Sequence, residues 1–189
     1  MFFITSLKKR IILAYQIKIQ KKSQMDIRIS EWRKAGVSVG ENCRIYCDRP
    51  INRDSFLLHI GNNVTISNGT VFLCHDNAPI KVSEGKYTDV FGEIYIGDNC
   101  FIGNRAIIMP GVRLAENTIV GAGSVVTHSQ LVPGYIIAGN PSRIICSVSD
   151  YYEKNKDYMV NADGLTVDEF KAYISNHKEK LIIKNNHKE

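Results

Sequence analysis

The tripeptide Cys74-His75-Asp76 brings three side chains that can do chemistry into one short stretch of the sequence. A neutral histidine accepts protons near pH 7, which makes His75 a candidate general base. Cys74 invites a cysteine–histidine pair, but adjacent side chains of an extended segment point to opposite faces, so the two cannot readily pair. Asp76 has two interpretations: a carboxylate that orients the imidazole or binds a substrate, or a turn-capping residue.

The spacing of the histidines and cysteines does not favour a metal site. None of the five histidines stands in close HxxxxH spacing; they are His59, His75, His128, His177 and His187. A zinc enzyme such as a carbonic anhydrase needs three histidines, two of them closely spaced. The five cysteines form no CxxC unit, and their odd number does not suggest a disulfide framework. We therefore expect no metal, and a reducing cytoplasm as the location.

The element that must position His75 has a sequence period of six residues, which is neither the helical period of 3.6 nor the strand period of 2. From residue 96 onward the frame is Ile96, Ile102, Ile108, Leu114, Val120, Val126, Val132, Ala138 and Ile144, and before it come Val39, Ile45, Ile51, Ile60, Ile66 and Phe72. A six-residue unit forms one short strand and a corner, and three units close a triangular coil. The sequence therefore predicts stacked coils whose core is filled by these aliphatic residues.

The six-residue frame lapses after Phe72 and returns at Ile94 and Ile96. The intervening stretch is polar and carries Pro79 and Gly85, so it predicts a loop of about residues 75–93 that leaves the stacked coils. Loops on rigid scaffolds often carry function, and this one begins at His75.

The repeats, together with "DVFGEIYIGDN", "IIMPGV", "GAGSVVT" and "AGNPSRII", resemble the hexapeptide-repeat acyltransferases. The resemblance covers about residues 37–145 and is strongest to the branch that O-acetylates sugars of surface polysaccharides; the chain is also similar to galactoside and maltose acetyltransferases. It implies a mainly β fold, a left-handed parallel β-helix, with acetyl-coenzyme A as cosubstrate and a carbohydrate as acceptor. It also implies a homotrimer with sites between subunits.

Within that family His75 matches the catalytic histidine, which would remove the proton from a sugar hydroxyl so that the acetyl group passes directly to the oxygen. Four carboxylates are candidate acceptor contacts. Asp48 and Asp54 lie roughly where similar enzymes place such contacts, although solvation is the simpler interpretation of each. Asp76 and Asp89 lie in the predicted loop.

The family contacts acetyl-coenzyme A at positions that match Asn104, Ala122, Thr127, His128 and Arg143, and Pro141 would lie near the adenine. His128 stands where the family usually has lysine. One coil is eighteen residues, so the spacing of Asn104, Ala122 and Asn140 predicts that they occupy one corner of successive coils. Packing at the corners is the structural alternative for the small residues.

The chain divides into an N-terminal helical arm at residues 1–36, the β-helix domain at 37–146 and a C-terminal helical segment at 147–189. Ser149 or Asp150, and then Thr166, are candidate helix caps in the last part. Residues 1–22 mix apolar and basic side chains, and their longest uninterrupted apolar run, residues 11–15, is far too short to span a bilayer. We expect a helix that packs on its own protein; a weak peripheral contact with anionic lipid is the alternative.

Two other functions remain open at this stage: N-acetylation of an amino sugar or xenobiotic, which the same site architecture supports, and a non-catalytic scaffold. Nucleic-acid binding is not expected. The net charge is +5, but much of the excess lies before Lys34, and no basic motif with interleaved aromatic residues occurs.

Overall fold

The computed structural model describes residues 23–48 and 53–182. The strands in these ranges are short and are, in chain order, β1 (Ser38–Val39), β2 (Arg44–Ile45), β3 (Leu58–Ile60), β4 (Thr65–Ile66), β5 (Val71–Phe72), β6 (His75–Asp76), β7 (Val90–Phe91), β8 (Ile94–Ile96), β9 (Phe101–Ile102), β10 (Ile107–Ile108), β11 (Arg113–Leu114), β12 (Ile119–Val120), β13 (Val125–Val126), β14 (Tyr135–Gly139) and β15 (Ser142–Ser147).

Three parallel sheets form the three faces of a β-helix, which the chain visits in turn. Face 1 contains β1, β3, β8 and β11, and face 3 contains β5, β10 and β13. Face 2 contains β2, β4, β9, β12 and β14, with β15 antiparallel to β14 at its edge. The register keeps the six-residue frame in line, since Ile102 pairs with Val120 and Ile108 pairs with Val126.

The described aliphatic frame residues fill the core as predicted, up to Val126. Ile45, Ile66, Ile102, Val120 and Val126 are completely buried. Because each inward residue is stacked on its equivalent in the next coil, the core is a continuous column of aliphatic side chains.

The first described helix, α1 (Gln24–Lys34), packs against the first coil. Ser23 and Asp26 form a capping box at its N-terminus, so the helix begins with its free N–H groups satisfied. Trp32 is completely buried and meets Phe72 edge to face, with ring centroids 6.1 Å apart. The arm predicted for residues 1–36 is thus helical over Gln24–Lys34, and its residues 1–22 lie outside the described part of the chain.

The frame fails after Val126, and the predicted core positions Val132 and Ile144 are wrong. Val132 is 57% exposed and Ile144 is 54% exposed, while Ala138 is only half-buried. The count slips because Gln130, and not Val132, pairs with Leu114. Face 2 is then continued by Ile137, which pairs with Val120 seventeen residues earlier instead of eighteen.

The predicted loop is an excursion with its own structure. β6 pairs antiparallel with β7, and a short helix, α2 (Pro79–Val82), lies between them. The N–H of Gly92 donates to the carbonyl of Cys74 at 2.9 Å, which closes the base of the excursion. The chain then rejoins face 1 at Ile94, which pairs with Leu58.

The chain forms two compact units, Met1–Val148 and Ser149–Glu189. The second unit contains most of helix α3 (Val148–Asn155), helix α4 (Val167–Asn176) and two 3₁₀ turns, Lys156–Tyr158 and Lys178–Lys180. Thr166 caps α4 in a reciprocal box with Glu169, as predicted. Helix α3 begins one residue before the predicted cap Ser149.

Within residues 23–48 and 53–182, the helices are too short or too polar to cross a bilayer. Residues 1–22, predicted to pack on the protein or to contact lipid, lie outside the described residues. The frame residue Ile51 also lies outside them.

Candidate active site

A short hydrogen bond joins His75 to Asp54 across successive coils. His75 Nδ1 lies 2.6 Å from Asp54 Oδ2. Asp54 is only 3% exposed, so the expectation that it is solvated was wrong. A buried carboxylate can only accept, so the imidazole carries its proton on Nδ1. This leaves Nε2 with a free lone pair, which is the form a general base needs.

The backbone explains how two residues 21 apart in sequence come together. The segment between β2 and β3 contains no described strand on face 3 and ends in a 3₁₀ turn, Ser55–Leu57, that begins face 1 of the next coil. Asp54 is the residue before this turn. His75 follows β5, the face 3 strand of the next coil, so both residues lie at the corner between face 3 and face 1.

Asp76 caps a turn, which was one of its two interpretations from the sequence. Its Oδ1 accepts a hydrogen bond from the N–H of Ala78 at 2.8 Å, and the side chain is exposed. Asp54, and not Asp76, therefore holds the imidazole. Asp48 is also exposed and does not line the cavity at His75.

A cavity of about 230 Å³ opens beside the imidazole and is lined by Arg53, Asp54, His75, Asn77, Asp89 and Phe91. Asp89, a candidate acceptor contact from the sequence, lines the same cavity as His75. Its Oδ1 accepts a hydrogen bond from Asn77 Nδ2. Apart from Phe91, the lining side chains are polar or charged, so the cavity offers hydrogen-bond donors and acceptors to a polar ligand.

The sequence reasoning missed Arg53, Asn77 and Phe91 as lining residues. Phe91 pairs with His75 across β6 and β7, its ring centroid lies 6.0 Å from the imidazole, and it is 54% exposed. The one available signal was proximity in sequence, since Asn77 and Arg53 lie within two residues of His75 and Asp54.

Cys74, the residue before His75, is buried in the core. It is 4% exposed, and burial raises the pKa of its thiol to about 11. A thiol of this kind stays protonated near neutral pH and is a poor nucleophile. The structure thus agrees with the expectation that the side chains of Cys74 and His75 point to opposite faces and do not pair.

Asn104 and Ala122 lie together at the corner between face 2 and face 3. They line one shallow groove with Asn68, Arg105 and Gly123, and the carbonyl of Asn104 accepts from the N–H of Gly123 at 2.8 Å. Asn140 does not continue this column, because the seventeen-residue step at Ile137 moves it one position out of register. The column at this corner therefore consists of Asn68, Asn104 and Ala122, and Asn140 is not part of it.

His128 and Arg143 line a second groove, together with Ser129, Gln130, Ile137, Ser142 and Ile144. Thr127 Oγ1 lies 2.8 Å from His128 Nδ1, which ties the threonine to the histidine. Pro141 stands at the turn between β14 and β15, next to the groove residue Ser142.

The two ends of face 3 carry different chemistry. Asn104 and Ala122 precede the strands β10 and β13 of this face, whereas His75 follows its strand β5. Within one chain, the predicted donor corner and the imidazole are therefore separated by the width of face 3. In the described ranges, no three or more His, Cys, Asp and Glu side chains gather in a metal-binding group.

Comparison with known proteins identifies the relatives of this β-helix. Residues 93–128 match the family model "Bacterial transferase hexapeptide (six repeats)". Protein CapG of Staphylococcus aureus is 39% identical over 168 residues, which cover 85% of this chain and 92% of CapG. The chain belongs to the hexapeptide-repeat acyltransferase family. The predicted membership and acyltransferase class are therefore confirmed.

The chain is also similar to other proteins of this family. A galactoside O-acetyltransferase of Escherichia coli (strain K12) is 35% identical over 114 residues, or 58% of this chain and 54% of that protein. The solved structure of a galactoside acetyltransferase in complex with coenzyme A covers 82% of this chain and 85% of its own, with a TM-score of 0.51 and 23% identity. The family fold, a left-handed parallel β-helix, is confirmed.

Proposed function

We propose that this protein is an acetyl-coenzyme A-dependent O-acetyltransferase whose acceptor is a sugar hydroxyl of a surface polysaccharide or its precursor. The observation that carries the proposal is the buried Asp54–His75 hydrogen bond at a polar cavity, because it presents a basic imidazole nitrogen to a bound hydroxyl. Similarity to a galactoside O-acetyltransferase supports a sugar as the acceptor.

Direct transfer requires one proton acceptor and no covalent enzyme intermediate. His75 Nε2 takes the proton of the acceptor hydroxyl while the oxygen bonds to the thioester carbonyl carbon. The carbon–sulfur bond then breaks, and the imidazolium returns the proton to the coenzyme A sulfur. Asp54 stabilises the imidazolium while it exists, as a carboxylate does in other histidine-based sites.

The donor would lie along the corner of Asn104 and Ala122, with Thr127, His128 and Arg143 as further contacts and Pro141 near the adenine. This corner and His75 stand at opposite ends of face 3. A ring of three copies with face 3 inward would set each donor corner against the neighbour's His75, so the site is proposed to form between subunits of a homotrimer. The outward side chains of face 3 are apolar, namely Val71, Ile107 and Val125, which supports its role as a contact surface.

The test is an assay of the purified native protein for coenzyme A release from acetyl-coenzyme A, against a panel of sugars, oligosaccharides and nucleotide sugars. The proposal expects acceptor-dependent release and an O-acetyl ester in the product, identified by mass spectrometry and its lability to mild base. Transfer only to amino groups, or no transfer to any sugar, would reject it.

A further inference from the structure

The cavity at His75 has a charge arrangement that bears on the kind of acceptor it holds. Two of its lining carboxylates are already engaged as hydrogen-bond acceptors. Asp54 accepts from His75, and Asp89 accepts from Asn77. Since these carboxylate oxygens already accept hydrogen bonds from the protein, they have less capacity left to accept hydrogen bonds from the hydroxyl groups of a sugar.

Arg53 is the cation of this cavity, and its guanidinium is unengaged. Within residues 23–48 and 53–182, its side chain forms no hydrogen bond and no ion pair, and the residue is exposed. A guanidinium presents a planar fork of N–H donors that matches a carboxylate or a phosphate group. Neither Asp54 nor Asp89, whose carboxylates line the cavity, forms an ion pair with this guanidinium.

Phe91 supplies the complementary apolar surface. Phe91 is 54% exposed, and its ring centroid lies 6.0 Å from that of the imidazole with the two ring planes at 43°. An exposed aromatic ring beside a polar pocket offers a face for the C–H side of a sugar ring. A ligand that packs on Phe91 therefore brings its hydroxyls toward His75 and any anionic substituent into the cavity with Arg53.

We propose that the acceptor is an acidic sugar, whose carboxylate or phosphate group is bound by Arg53 while its hydroxyl is presented to His75. This proposal rests on the proposed function and narrows its substrate class. The phosphates of the donor are the alternative partner of Arg53. Other cations lie at the proposed donor contacts: Arg105 lines the groove of Asn104 and Ala122, and Arg143 lines the groove of His128.

The experiment compares acceptors with and without an anionic group. Methyl galactosiduronate is set against its uncharged uronamide, which has the same shape, and galactose 1-phosphate is set against methyl galactoside. Acetyl transfer is measured as kcat/KM, and binding is measured by calorimetry with coenzyme A present. The two pairs distinguish a carboxylate on the sugar from a phosphate.

We expect the native protein to favour the anionic member of at least one pair by about twofold to fivefold, the scale of one exposed ion pair. Arg53→Gln should abolish this preference, and Arg53→Lys should restore part of it. Arg44→Gln is the matched control, because Arg44 is an exposed cation that does not line the cavity; it should leave the preference in place. Added salt should weaken the preference in the native protein.

The readouts separate the two proposals. Equal turnover of both members of both pairs would overturn the acidic-sugar proposal and leave the acetyltransferase intact. Arg53-dependent binding without any transfer would reject the acetyltransferase and keep the acidic ligand. A rise in the KM for acetyl-coenzyme A in Arg53→Gln, with the acceptor preference unchanged, would assign Arg53 to the donor.

Discussion

Asp54 and His75 act as one unit, because the carboxylate fixes both the orientation and the tautomer of the imidazole. The carboxylate is buried, so it has exchanged water for the His75 N–H at 2.6 Å. An imidazole held in this way can accept a proton only at Nε2. The proposed general base thus depends on a partner in the preceding coil.

Replacing Asp54 with asparagine tests this dependence. The amide can donate to Nδ1, which would favour the tautomer that carries its proton on Nε2. We expect Asp54→Asn to lower kcat about 10–100-fold, the usual effect of removing a partner that orients a functional histidine, with little change in coenzyme A affinity. Steady-state kinetics and calorimetry measure the two quantities. Asp157→Asn, an exposed change in the second unit, is the control; equal kcat in both variants would contradict the role of Asp54.

At the scale of elements, the excursion from β6 to β7 is held where it rejoins the coils. Gly92 passes so close to the next coil that an added Cβ would lie 2.3 Å from the backbone nitrogen of Gly111 and 2.8 Å from the carbonyl carbon of Pro110. Backbone atoms cannot move aside as a flexible side chain can. The same residue donates to the Cys74 carbonyl, next to His75.

We therefore expect Gly92→Ala to displace the strand that pairs with His75. Activity should fall more than tenfold and the melting temperature should drop, since overpacking typically costs about 1–3 kcal/mol. Gly85 is the comparison, because it lies within the excursion in open space with φ of +82°, a conformation that asparagine tolerates. Gly85→Asn should keep most of the activity; an active, stable Gly92→Ala protein would show that this base of the loop is not constrained.

The elements also show where sequence reasoning holds and where it stops. The coils could be counted because each inward residue repeats at a fixed interval, so Ile102 and Val120 were placed correctly. Asp54 could not be paired with His75, since the stretch before it has no repeat from which to count a register. The ladder to Asn140 failed for a related reason: the last coil has only four residues from Val126 to Gln130, where the preceding coil has six from Ile108 to Leu114.

For the molecule as a whole, buried thiols make the β-helix sensitive to alkali. Burial raises the pKa of Cys47, Cys74 and Cys100 from 9.0 to about 11. Between these values the unfolded chain loses thiol protons that the folded chain keeps, so the free energy of unfolding falls as pH rises from about 9 to about 11. Below 9 this contribution is fully present.

Thermal melting from pH 8 to pH 11 measures the effect by comparison of variants. Cys100→Ala should be less stable at pH 8, because it leaves a space in the core, but its melting temperature should fall less steeply with pH than that of the native protein. Cys146→Ala, at a half-buried site, should keep the native slope. Parallel slopes for all three proteins would argue against the thiol contribution.

Assembly is tested on face 3. Ile107→Glu places a charge on the outward side of this face, where the proposed trimer has its contacts. We expect a folded protein of monomer mass by light scattering, with activity at least about tenfold lower, because burying an unpaired charge at an interface is costly. Phe101→Glu makes an equivalent change on face 2 and should remain trimeric. A fully active native monomer would contradict the proposed shared site.

The most direct test of the account is the turnover of His75→Ala beside the native protein, with melting temperature and coenzyme A affinity measured on both. If His75 is the general base, kcat should fall about 10²–10⁴-fold, while the fold and donor affinity are retained, since His75 lies outside the aliphatic core. The limb of the pH–rate profile that requires a neutral imidazole should disappear. A folded His75→Ala protein that binds coenzyme A and acetylates its sugar at a near-native rate would contradict the central claim.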